Sequence, residues 1–284
     1  MPADRVIQPS HAQWVAQLEL GFARHADRTV LHRRRHEGPL RVQRPFYPEG
    51  EAVCHVIVIH PPGGIANGDA LSLSANLQAG SHALLTTPGA GKWYRSEAAW
   101  AHQRTLFRVE PGACLEWLPQ ETIVFDGARA DMSVEIDLAA NARYIGWELL
   151  CLGRPAAGES FRTGRLRLRT RLRREGRLIW LERGRFAGGS SLLHSPVGLA
   201  GHVVCGTLVA AAPEIDQGLA ADCRRLEARE AQARTGVTLL PGLLVARYLG
   251  DCSEAAGDWL TTQWRRLRPA LLGRVAQPPR IWNT

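Results

Sequence analysis

Short apolar or alternating runs, cut by glycine and proline, fill the first two-thirds of the chain. VCHVIVIH (Val53 to His60) is dense in β-branched residues and stops at Pro61-Pro62-Gly63-Gly64. A run of that kind ended by strong breakers reads as a strand. ALSLSANLQ then alternates, and SHALLTTP, QRTLFRVE, ACLEWLP, SVEIDL, YIGWELLCLG, LRLRTRLR and RLIWLERGRF follow. Turn signals separate them at Gly80, Pro88-Gly89, Pro111-Gly112, Asp126-Gly127, Gly153 and Gly176. Strands arriving about every ten residues without helices between them predict a mainly β fold, as a sandwich, barrel or solenoid. Periodicity alone does not choose among these.

Two later segments have helical spacing. From Pro213 to Arg234, Ile215, Leu219, Cys223 and Leu226 form one stripe after an acidic first turn. From Ser253 to Leu272, Trp259, Leu260, Trp264 and Leu267 form another. TGVTLLPGLLVARYLG between them fits either element, and the tail AQPPRIWNT predicts an extended arm. No low-complexity linker divides the chain, so residues 1–284 are expected to form one β-rich domain with two appended helices.

Composition narrows the function. Hydrophobic residues at 45% and charged residues at 22% are ordinary for a globular chain. No apolar run approaches the roughly 18 residues of a membrane span. MPADRVIQPSHAQW lacks a signal-peptide core, so the expected location is the cytoplasm. The six cysteines form no Cys-x-x-Cys pair, and the ten histidines are scattered. Neither pattern suits a tight metal cage or a disulfide framework. A net charge of +8 invites a nucleic-acid reading, a basic nucleic-acid-binding β-domain. Lys92 is, however, the only lysine among 35 basic residues, a bias spread over the whole chain. In the densest basic run, RLRLRTRLRR, arginine alternates with leucine. That is a strand with one wet face and one buried face, with no aromatic platform interleaved.

TTPGAGKWYRS, Thr86 to Ser96, has the silhouette of a phosphate-binding loop. It fails the test, because Thr86 stands where the first glycine is needed and Trp93 where the magnesium-binding hydroxyl is needed. Pro88 also removes an amide donor. RFAGGSSLLHS is likewise no Gly-x-Ser-x-Gly nucleophile elbow. No enzymatic centre is therefore expected. Three acids stand out instead. Asp69 ends the glycine-rich turn HPPGGIANGD, and Glu148 and Glu182 sit near tryptophans in apolar strands. For Glu148 and Glu182 two readings stand, a salt bridge to an arginine or the lining of a polar channel that touches a passing cation weakly, whereas the plain reading of Asp69 is a side chain bonded to its own turn.

The blocks HPPGGIANGD, LLTTPGAGKWYRS, WLPQETIVFDGAR and GWELLCLGRPAAGE together resemble the urease accessory protein UreD family, called UreH in some bacteria. The signature positions are Gly63, Gly64, Gly68, Lys92, Tyr94, Arg95 and Ser96, and Gly91 departs from the family's usual Ser or Thr. The resemblance implies a β-helical body and a non-enzymatic scaffold. Its implied partners are UreF, the GTPase UreG and the urease apoprotein (UreABC), with a dimer of UreD–UreF heterodimers as a further possibility. Nickel in transit is the implied cargo, with no tightly bound cofactor, no nucleic acid and no membrane. Asp69, Glu148 and Glu182 fall in blocks where the family's route-lining acids are expected. Trp259 and Trp264 of the last helix and Trp282 of the tail are candidate partner contacts, with intramolecular packing as the alternative for the first two.

Overall fold

The computed structural model describes residues 13–283. The N-terminal stretch in which the sequence offers no export signal lies mostly outside them. The chain is mostly β and winds a β-solenoid of about four turns. It opens with β1 (Val15–His25), β2 (Arg28–Glu37), β3 (Arg41–Val42) and β4 (Cys54–Ile59). The coils follow as β5 (Ala70–Leu77), β6 (His82–Thr86) and β7 (Gly91–Trp93), then β8 (Ala101–Val109), β9 (Cys114–Leu118) and β10 (Thr122–Val124). β11 (Arg129–Leu138), β12 (Arg143–Arg154), β13 (Glu159–Ser160), β14 (Arg165–Arg174) and β15 (Arg177–Ala187) complete them. After a short helix α1 (Ser191–His194) come β16 (Val204–Ala211), α2 (Gln217–Arg224), β17 (Arg234–Leu240), β18 (Leu243–Gly250) and α3 (Ser253–Leu272).

One sheet runs β15-β14-β11-β8-β5-β1-β2, and its five inner strands are parallel. The other runs β17-β18-β16-β12-β9-β6-β4-β3, parallel from β4 to β12 and antiparallel beyond. Successive coils are bonded even at their corners. Gly80 and Gly112 turn at φ of +69° and +70°. Gly80 N–H donates to Pro111 O at 3.0 Å, and Gly112 N–H donates to the Asn141 side chain at 2.7 Å. Leucines, alanines and aromatics from the facing sides of both sheets fill the solenoid. A second core lies on the other side of the second sheet, beneath α2 and α3.

The last predicted helix agrees with α3 at both ends. The earlier one does not: α2 covers only Gln217–Arg224 of the expected Pro213 to Arg234. α3 claims carbonyls at and just beyond the end of α2, Cys223 O through Gln263 Nε2 at 3.0 Å and Leu226 O through Trp259 Nε1 at 2.9 Å. From Arg234 the chain pairs as a β17–β18 hairpin turned at Gly242, which resolves the ambiguous segment. The tail is not an extended arm. Residues 280–283 form a 3₁₀ turn that folds back, and Trp282 packs on Trp147 and Trp264.

α3 is fastened by charge. Glu116 of β9, fully buried, takes Trp264 Nε1 at 2.6 Å, Arg268 Nε at 2.9 Å and His82 Nε2 at 2.8 Å. Arg268, also fully buried, reaches on to Glu49 at 2.6 and 2.8 Å, and Glu49 meets His55 Nε2 at 2.6 Å. Burial alone would raise the Glu116 carboxyl, but His82 and Arg268 more than offset it and hold it at about 2. Removing one partner from a buried pair strands the other's charge, at a cost of roughly 3–5 kcal/mol. Arg268→Ala should therefore lower the urea-unfolding free energy by about that much. Arg266→Ala, which breaks a half-exposed pair with Asp222, should cost less than about 1 kcal/mol. Similar losses from both would show that the buried cluster has no special role.

Candidate functional site

Between the two sheets lies a cavity of about 470 Å³. Its lining begins at the glycine loop (His60, Gly63, Gly64) and at Lys92, and extends inward to Glu148 and Glu182. Strand parity explains the polar seam within it. On the first sheet Thr105, Val134, Thr170 and Glu182 lie in one register row. On the second, Glu148, Thr207 and Arg247 lie in another. Arg247 crosses between the sheets to Glu182 at 2.7 Å and donates to Thr207 Oγ1 at 3.2 Å.

Glu148 has no hydrogen-bond or ion-pair partner among the described residues, and it keeps some accessible surface because it faces the cavity. Burial, with the Glu182 charge added, pushes its carboxyl up to about 7. The same surroundings push the Cys205 thiol up to about 12, through burial first and Glu148 second, and raise the Tyr144 phenol. Burial lowers the His60 imidazole, with Asp69 opposing the shift. The Thr105 hydroxyl and His60 Nε2 are buried with no hydrogen-bond partner among the described residues. Among the described residues no three of His, Cys, Asp and Glu gather where they could hold a metal ion. The cavity's donors are single carboxylates and hydroxyls, a donor set that suits weak contact with a hard or borderline cation.

Two of the three singled-out acids thus meet in one cavity. The third, Asp69, is placed off it. Its two carboxylate oxygens accept Trp14 N–H and Ala66 N–H, each at 2.9 Å, so it shapes the glycine loop. Trp259 and Trp264 are buried between α3 and the sheet, and Trp282 donates to Thr86 Oγ1 at 2.7 Å. The indoles of all three are spent within the chain. Glu116 was missed although ACLEWLP carries the signal that flagged Glu148 and Glu182, one carboxylate beside tryptophan in an apolar strand.

The signature residues join coils. A Cβ on Gly64 would lie 1.9 Å from the Tyr94 ring, so only glycine permits that approach. Tyr94 stacks edge-on against Phe125 at 4.8 Å, Arg154 covers Phe125 at 4.4 Å, and Glu159 holds Arg154 at 2.7 Å. Ser96 Oγ accepts Asn67 N–H at 2.7 Å, just ahead of Gly68 with its φ of +89°. Arg95 lies 3.8 Å from Asp126. Lys92 is exposed at the cavity mouth. A Cβ at Gly91 would meet nothing nearer than Thr122 Oγ1 at 4.0 Å, so the family's Ser or Thr would fit there.

A carboxyl raised in the folded state favours folding only while protonated, so Glu148 lowers stability as pH rises from its unfolded value near 4.5 through about 7. Glu148→Gln should raise the melting temperature at pH 8, with the gain fading by pH 5. A gain that does not change between these pH values would contradict the raised carboxyl.

The sequence model of the family described as UreD urease accessory protein matches residues 15–283. A urease accessory protein UreD from Dechloromonas aromatica (strain RCB) is 58% identical over 283 residues, 98% of either chain. One from Azoarcus sp. (strain BH72) is 52% identical, covering 99% of this chain and 98% of its own. A third, from Pseudomonas aeruginosa, is 52% identical over 96% of both. With the family model matching residues 15–283 and relatives more than half identical over nearly the whole chain, the chain belongs to the UreD urease accessory protein family.

Proposed function

We propose that the protein is a non-catalytic scaffold in urease maturation, which binds the urease apoprotein together with UreF and UreG and passes nickel through the solenoid interior. The observation that carries the route is Glu148, an unpaired carboxyl facing a cavity that runs inward from the signature loops. With its proton affinity near neutrality, the carboxyl must give up a proton to receive a cation, which weakens the hold and keeps it reversible. Glu182 is already engaged by Arg247, so an arriving cation competes with a guanidinium. Both effects favour passage over capture. Asp69 serves this route indirectly, by holding the loop at its mouth.

Glu148→Ala should lower the nickel content and activity of urease matured in cells several-fold while pull-down of the complex with urease and UreF stays intact. Glu182→Ala should act in the same direction. Asp69→Ala should instead lower the melting temperature of the scaffold itself. Full urease activity in the Glu148→Ala, Glu182→Ala double variant would rule the route out. Loss of complex formation would assign these acids a structural role.

A further inference from the structure

The outward face of β14 carries Arg165, Arg167, Arg169, Arg171 and Arg173 at alternate positions. Such positions lie about 7 Å apart along a strand and about 5 Å from their neighbours across it. The acids of β11 neutralise part of this array: Asp131 meets Arg167 at 3.9 Å, Glu135 meets Arg171 at 3.7 Å and Asp137 meets Arg173 at 3.6 Å. Arg165, Arg169, Arg183 and Arg185 are exposed and have no acidic partner among the described residues. Register sets Arg169 opposite Arg183 and Arg167 opposite Arg185, and like charges placed so are destabilising. No acid within the described chain relieves the cost at Arg169 and Arg183.

A second observation indicates what would. Leu178 and Leu181 stand on the same outward face of β15, 46% and 41% exposed. A phosphate backbone would leave those leucines in water. An apolar pair beside an arginine-rich rim is instead the anatomy of a protein interface. We propose that the outward face of β14 and β15 docks an acidic surface of the urease apoprotein, with an apolar side chain of that surface seated on Leu178 and Leu181. The inference rests on the maturation role given above and adds the face by which the scaffold holds its client.

The test is binding of the purified full chain to the urease apoprotein at low and physiological salt. Arg169→Glu combined with Arg183→Glu should weaken binding at least about tenfold and flatten its salt dependence. Arg169→Lys with Arg183→Lys should stay within about threefold, and Leu181→Asp should weaken binding without altering the salt slope. Matched melting curves would establish that each variant folds. Unchanged affinity in the double-glutamate variant, with wild type binding normally, would overturn the docking face alone. Wild type that binds no urease would overturn the maturation role as well. Wild type that binds duplex DNA, with the glutamates abolishing that and sparing urease, would assign the face to nucleic acid and overturn the proposal.

Discussion

Glu116 is fully buried. A lone buried carboxylate is costly, and everything around it answers that cost: an indole N–H, a guanidinium and an imidazole converge on its two oxygens. Two of the three donors come from α3, so the helix must lie across the second sheet at one height and one rotation. With α3 fixed there, the middle strands of that sheet are buried on both sides. One side closes the solenoid and the other roofs it, and the polar seam stays inside, separate from the ion cluster. The cavity and the clamp thus lie on opposite faces of the same few strands.

Parity decides which acid belongs to which face, and parity is a property of register. Glu116 pairs with Ile145 of β12 and points at the helices, whereas Glu148, three residues beyond Ile145, points into the cavity. Their local sequences are alike, each a carboxylate next to tryptophan among apolar residues. A strand covered on both faces reads as a continuous apolar run and loses the alternation that would tell its sides apart. That is why YIGWELLCLG could mark Glu148 as unusual without showing where it points. Asp69 was ambiguous for another reason, since a turn aspartate and a channel aspartate look the same until its amide partners are known.

The strands themselves were legible because glycine and proline punctuate them, and α3 was legible from its tryptophan stripe. The solenoid came only from the family resemblance, because sandwich and coil share a strand spacing. The overlong first helix failed on tertiary grounds: α3 takes the carbonyls of Cys223 and Leu226, and a hairpin claims its last residue. The tryptophans of α3 suggested a surface because an amphipathic stripe does not say what covers it. Here the chain covers its own.

The span of the clamp has a consequence for how the protein is made. The coils stack on their immediate predecessors, so each can settle as it leaves the ribosome. Glu49 and Glu116 must wait for Arg268, 219 and 152 positions downstream. Until Arg268 has emerged, the outer side of the second sheet exposes apolar residues around carboxylates that lack their guanidinium. A prematurely ended chain would keep that sticky, anionic flank for good and offer it to chaperones and proteases. Arg268 thus decides whether this flank is closed, and any fragment that stops short of it differs from the folded chain there.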